Sequence, residues 1–202
     1  RDLAVAQQAI QLHLRVAPEN IRGLLLAGAI EGDMKSYGQA EAHLSKVLEK
    51  VPGAQLARRT LIAMYLRSGQ PGKALDTLKP VLDSIAGNAT MLGLAGEVFM
   101  ANGETNEASK YFTRAASRDP GDARKRTYLA VSHLVTGENS RGMGELEQAM
   151  TIDSSDRAAL VLIAAHFQRR EYDKALAVIA MLEKKEPGTA LPHNLRGLAL
   201  LG

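Results

Sequence analysis

Apolar and small residues recur along the chain with a helical period that breaks at regular intervals. The clearest case is residues 89–120, ATMLGLAGEVFMANGETNEASKYFTRAASRDP. Leu92, Ala95, Gly96 and Phe99 stand at offsets that place them on one side of a first helix, and Ala108, Phe112 and Ala115 do the same for a second helix after Asn102-Gly103-Glu104. Two short helices alone leave an apolar flank in water, so the pattern predicts neighbours built to cover it.

Those neighbours are written into the chain as a repeat. Pro18, Pro52 and Pro120 fall on a ladder of 34 residues, with Ala86 and Ser154 on the intermediate rungs and Pro187 one residue early. A small residue opens each second helix: Ala6, Ala40, Ala74, Ala108, Gly142 and Ala175. A close-packing slot in each first helix reads Gly28, Ile62, Gly96, Ala130, Ala164 and Gly197. Small side chains there let helix backbones approach. Asn20, Asn88, Asp122, Asp156 and Thr189 are suited to cap the first helices, whereas Ala54 is not. Paired helices are joined at Lys35-Ser36-Tyr37, Gly69-Gln70-Pro71, Gly103-Glu104-Thr105, Gly137-Glu138-Asn139 and Arg170-Glu171-Tyr172. Glycine there ends a helix in the left-handed conformation. The residue missing from the last full unit is expected in the Arg170 turn, because Phe167 is eight residues from Ala175 rather than nine. Pro80, inside a second helix, predicts a bend or an end on the solvent side. Gly137, Gly142 and Gly144 mark 137–145 as the least stable turn.

Leu92, Ala95-Gly96, Phe99, Ala108, Phe112, Ala115 and Pro120 together resemble the tetratricopeptide repeat. The resemblance spans the chain as five full repeats, 19–52, 53–86, 87–120, 121–154 and 155–187. The second helix of a truncated repeat precedes them (1–18) and the first helix of another follows (188–202). It implies an all-α fold, an α-solenoid of antiparallel helix pairs in a right-handed superhelix. Arg58, Ile62, Arg126 and His133 depart from the family's small or aromatic slots and are expected to loosen individual repeats without changing the architecture. A narrower resemblance rests on residues 112–120, Leu129 to Gly137, and Pro192 to Gly197. These look like the tetratricopeptide lipoproteins of bacterial PEP-CTERM and exosortase systems. That resemblance implies a non-catalytic scaffold of the cell envelope or periplasm, linked to exopolysaccharide export and PEP-CTERM protein sorting. It also implies a lipid anchor on a longer parent chain.

Composition narrows the chemistry. With 46% hydrophobic and 23% charged residues among 202, the chain can bury a core and lacks the signature of disorder. A net charge of +3 steers only weakly toward acidic partners. No run approaches the ~18 apolar residues that a membrane-spanning helix needs. Zero cysteines exclude disulfides, thiolate catalysis and Cys-ligated zinc. Neither a phosphate-cradling glycine loop nor a Gly-x-Ser-x-Gly elbow occurs. His13, His43, His133, His166 and His193 include no i, i+4 pair, and the carboxylates Glu145, Glu147, Asp153 and Asp156 suit exposed faces and helix starts. The expectation is no catalytic residue, no metal and no cofactor. Asn88-Ala89-Thr90 matches a glycosylation sequon, but capping explains Asn88 better.

Two other functions compete with protein binding. Arg58-Arg59, Arg124-Lys125-Arg126, Arg169-Arg170 and Lys184-Lys185 recur as in helical-repeat RNA readers, yet Tyr65, Phe99, Phe112 and Phe167 are assigned to core slots and leave no stacking platform. A regulatory segment of a larger enzyme is the other. The reading adopted is a protein or peptide segment in a groove lined by first helices, as the resemblance implies. Its inward positions are Arg22, Leu25 and Ala29; Leu56, Arg59, Ala63 and Leu66; Gly93, Glu97 and Met100; Arg124, Thr127, Val131 and Leu134; Val161, Ala165 and Gln168; and Leu191 with Asn194. The floor is apolar and small with sparse arginine, which suits an extended or helical apolar segment carrying an acidic group for Arg59 or Arg124. Leu3, Ala6, Ile10 and Leu14 in the opening helix and Leu198, Leu200 and Leu201 in the closing one predict end-to-end self-association.

Overall fold

The computed structural model describes residues 2–152, 156–185 and 187–202, and every regular element among them is helical. Contacts divide the chain into two units, Arg1–Ala86 with Ala101–Gly103, and Gly87–Met100 with Glu104–Gly202. The first unit holds α1 (Asp2–Val16), α2 (Ile21–Asp33), α3 (Tyr37–Lys50), α4 (Gln55–Arg67) and α5 (Pro71–Leu78). Pro80 acts as its ring chemistry requires: α5 stops at Leu78 and the chain continues as a 3-10 helix, Lys79–Ser84. The second unit holds α6 (Ala89–Ala101) up to Met100, α7 (Thr105–Arg118), α8 (Ala123–Val135), α9 (Asn139–Ile152), α10 (Asp156–Gln168), α11 (Tyr172–Lys185) and α12 (Ala190–Leu201). From α1 to α5 and from α7 to α12 successive helices pack on one another, α8 also touches α10, and α6 meets α7 through Gly96 against Phe112 and Phe99 against Tyr111. This is the stacked-pair architecture of an α-solenoid.

Local chemistry places the helix ends. The side chains of Asn20, Asn88 and Asp122 accept from the backbone N–H three residues on, at 2.8, 3.1 and 3.1 Å. Five turns share one geometry. The N–H groups of Ser36, Gln70, Glu104, Glu138 and Glu171 donate to the carbonyls of Glu31, Tyr65, Phe99, His133 and His166. The residue before each donor has positive φ: Lys35 62°, Gly69 71°, Gly103 80°, Gly137 85° and Arg170 56°. Lys35 and Arg170 adopt that conformation against the preference of their Cβ atoms.

This shared turn corrects the position of the missing residue. The accepting carbonyls stand 34 residues apart except the last pair, His133 and His166, which stand 33 apart. The Arg170 turn is therefore of full length. Helices α7 and α9 have 14 residues each and begin 34 apart, whereas α8 and α10 begin 33 apart. The shortening therefore falls between the end of α9 at Ile152 and the start of α10 at Asp156. Asp153 and Ser154 lie outside the described residues. The whole of α10 consequently shifts by one register position. Ile163, 1% exposed, fills the close-packing slot instead of the exposed Ala164, and His166 takes the aromatic slot assigned above to Phe167. Asp156 is the first residue of α10 rather than its cap.

Leu44, Leu78, Phe112, Leu146 and Ile179, one from each second helix α3, α5, α7, α9 and α11, are almost wholly buried. Each such side chain contributes about 1.5–3 kcal/mol of burial. They press on the small slots. A Cβ added at Gly28 would lie 2.5 Å from Leu44 Cγ, and one at Gly96 would lie 2.4 Å from the Phe112 ring. The two arginines in normally small or aromatic slots reach second helices through their guanidinium groups. Arg58 donates to the carbonyls of Thr77 (2.9 Å) and Pro52 (2.8 Å), and Arg126 to Glu145 and Gln148, both at 2.6 Å.

Candidate functional site

On each first helix the predicted inward positions share one helical face. In the first unit Arg22, Leu56 and Arg59 are exposed, while Leu25, Ala29, Ala63 and Leu66 are half-buried. In the second, Arg124 is exposed and Glu97, Met100, Val131 and Leu134 are half-buried. Gly93 and Thr127 are buried, with the Thr127 hydroxyl donating to the Ala123 carbonyl at 2.8 Å, so they shape the floor without offering surface. Val161, Ala165 and Gln168 stand one position past the inward register of α10. Their places belong to Leu160, Ala164 and Phe167, because of the shortened connection before that helix, and Arg157 fills the slot one turn earlier, for which no residue was predicted. On α12, Leu191 and Asn194 are exposed.

The second unit adds a polar cluster to this face. Glu97 on α6, Arg124 and Tyr128 on α8, and Arg157 on α10 converge. Burial pushes the Glu97 carboxyl above its usual range, and Arg124, the Tyr128 hydroxyl and Arg157 pull against that rise. Burial likewise raises the Tyr128 phenol, with the Glu97 charge adding to it. Arg157 Nη1 donates to the Tyr128 hydroxyl at 3.2 Å, and its guanidinium lies 6.0 Å from the centroid of that ring. Tyr128 also stacks on Phe112, with centroids 5.4 Å apart and planes 16° apart.

Sequence reasoning identified Glu97 and Arg124 but missed Tyr128 and Arg157. Tyr128 stands four residues after Arg124, on the same helical face, which is a readable signal. Arg157 was hidden by the register shift. Most of the basic doublets do not form a free stripe. Arg58 is bound to carbonyls, Lys125 is buried against Asp119 (2.7 Å) and Asp122 (2.5 Å), Arg126 meets Glu145, Arg169 meets Glu171 and Lys185 meets Asp156.

Titratable residues elsewhere close helical turns. His166 Nδ1 and Glu171 Oε2 are 2.8 Å apart; together with Arg169 this holds the Glu171 carboxyl down at about 2. The equivalent His133 and Glu138 are 3.6 Å apart, because Glu138 is engaged by Arg141 at 2.5 Å. His133 Nδ1 is left buried without a hydrogen-bond partner, beside an open cleft between α7 and α9. Among the described residues no group of three His, Cys, Asp or Glu could hold a metal ion. None of the described helices is long and apolar enough to cross a membrane.

Residues 94–158 match the family model for the tetratricopeptide repeat. No curated protein matches the sequence. Among solved structures, a tetratricopeptide repeat protein from Parabacteroides merdae is 16% identical over 98% of this chain and 78% of its own, with a TM-score of 0.75. A thermophilic protein of the same repeat class in Thermus thermophilus is 18% identical over 90% of this chain and 100% of its own, at 0.72. YrrB, described as having an unusual peptide-binding site, is 19% identical over 79% and 82%, at 0.65. At these identities the likeness is one of fold.

Proposed function

We propose that the chain is a non-catalytic scaffold that binds a segment of another protein along the face made by its first helices. The observation that carries this reading is the contrast within that face. Small or apolar half-buried side chains, Ala63, Leu66, Val131 and Leu134, lie beside exposed arginines whose position in the repeat points them at a ligand, Arg59 and Arg124. Such a surface suits a peptide laid across successive helices. YrrB, which shares the fold, supports the same use. RNA binding is the weaker reading because buried or paired partners occupy most of the basic doublets.

The narrower resemblance of residues 112–120, 129–137 and 192–197 supports a finer proposal. The partner is a component of a bacterial envelope assembly linked to exopolysaccharide export and PEP-CTERM sorting, and the parent protein is lipid-anchored there. Exposed Leu3, Val5, Leu12 and Val16 on α1, with Leu198, Leu200 and Leu201 on α12, support end-to-end self-association as a second mode.

A photo-crosslinking residue placed in the native host at Leu56 or Ala164, on first helices, should capture one discrete partner. The same probe at Ser117 or Glu147, exposed on second helices, should not. Equal capture from both sides would overturn the assignment of the face. Fractionation of the tagged parent protein tests the envelope proposal, which fails if the protein stays with the cytosol.

A further inference from the structure

The chemistry of the ligand can be read from the cluster on α6, α8 and α10, given the peptide-binding reading of that face. We infer that this surface takes an extended peptide bearing an acidic side chain, whose carboxylate is held between Arg124 and Arg157 while Glu97 accepts a backbone N–H from the same segment. The first support is charge. Two guanidinium groups stand against one carboxylate, and no described carboxylate lies in ion-pair contact with either arginine. An acidic group set between them gains charge-assisted hydrogen bonds that water now supplies.

Glu97 provides the second support. Its carboxyl is half-buried, and the groups bearing on it are the Tyr128 hydroxyl and the two arginines. A half-buried acceptor of this kind recovers part of its lost solvation when a ligand N–H reaches it. Tyr128 holds the arrangement in place: Phe112 packs on its ring and Arg157 on its hydroxyl. The face that Phe112 covers is closed to a base, and Glu97 repels a chain of phosphates, so a single carboxylate fits where a single-stranded nucleic acid does not. Leu160 and Phe167, half-buried on α10, continue the face and suit an apolar side chain beside the acidic one.

The probe is the set of peptides recovered from a random display library on the immobilised chain, each remade with aspartate, asparagine or lysine at its acidic position. Binding is read by fluorescence anisotropy. R124A and R157A should each weaken the aspartate peptide by about threefold to fivefold, the upper end of what a solvent-exposed ion pair yields, and leave the asparagine peptide unchanged. E97Q should tighten the aspartate peptide, because glutamine keeps the acceptor oxygen and removes the like charge. Preference for the lysine peptide, lost in E97Q, would overturn the inference by placing a cation at Glu97. Binding blocked by A164W yet indifferent to aspartate or asparagine would overturn the inference while leaving the face as a peptide site. Recovery of no peptide sensitive to A164W would overturn both. Displacement of the aspartate peptide by single-stranded RNA would overturn the choice of ligand. Unaltered circular dichroism of each variant establishes that it is folded.

Discussion

Two alanine substitutions one turn apart in α6 should move stability in opposite directions. At Gly96 an added Cβ would lie 2.4 Å from Phe112 Cδ1 and Cε1 and 2.8 Å from Cζ. Carbon atoms prefer about 3.5–4.0 Å, so the ring must retreat by about 1 Å. It has little room, since Phe112 is 1% exposed and stacks on Tyr128. Overpacking of a tight core costs about 1–3 kcal/mol, and a site this confined belongs at the upper end. Alanine recovers about 1 kcal/mol of helix propensity over glycine. The net expectation for G96A is a loss of about 2 kcal/mol from these two effects. At Gly93 the only neighbour within 4 Å of the new Cβ is Lys125 Cγ, at 3.9 Å, an ordinary contact. G93A should therefore gain up to about 1 kcal/mol from propensity. Urea unfolding followed by circular dichroism reads both as midpoint shifts at constant slope. In a chain of this size G96A should lower the thermal midpoint by roughly 4–8 °C. Because Phe112 leans on Tyr128, G96A should also weaken peptide binding at the Glu97 cluster. A G96A protein as stable as the parent would refute the packing argument, and so would a destabilised G93A.

Other predictions test the turns and their charges. R170G and K35G should each stabilise by about 0.5–1 kcal/mol, since glycine holds the same left-handed turn without the ~1–2 kcal/mol that a Cβ costs there and gives back part of that gain as chain entropy; unchanged urea midpoints would count against this. G144A should gain about 1 kcal/mol because open space surrounds it, whereas G142A should lose stability against Leu134 Cγ at 2.8 Å and the Ala130 carbonyl at 2.9 Å. Thermal denaturation of the pair decides, and equal shifts would contradict it. The Glu171 carboxyl is depressed in the folded state to about 2 from an ordinary 4.5, so it supports stability above pH 4.5, and that support is lost as pH falls toward 2. Acid unfolding should accordingly be shallower in E171Q across that window, and parallel curves would refute the linkage.

Much of this molecule is legible in one dimension because its determinants are local. Helix pairs, caps at Asn20, Asn88 and Asp122, and glycine turns at Gly69, Gly103 and Gly137 each depend on residues within a few positions of one another, and the structure has all of them. The period of 34 then follows from counting, and with it the stacked-pair fold. What counting could not place was a single absent residue. Ala164 and Phe167 suited the slots of α10 as well as Ile163 and His166 did by residue type, and only packing against neighbouring helices chose between them. The same holds for the cluster on the first-helix face. Glu97, Tyr128 and Arg157 come from three helices in three successive repeats, so their meeting depends on the rotation between stacked pairs, a property of the assembled interior. Composition and spacing therefore determined that this chain presents a repeated face; the three-dimensional register decided which side chains stand on it and how burial sets their charge.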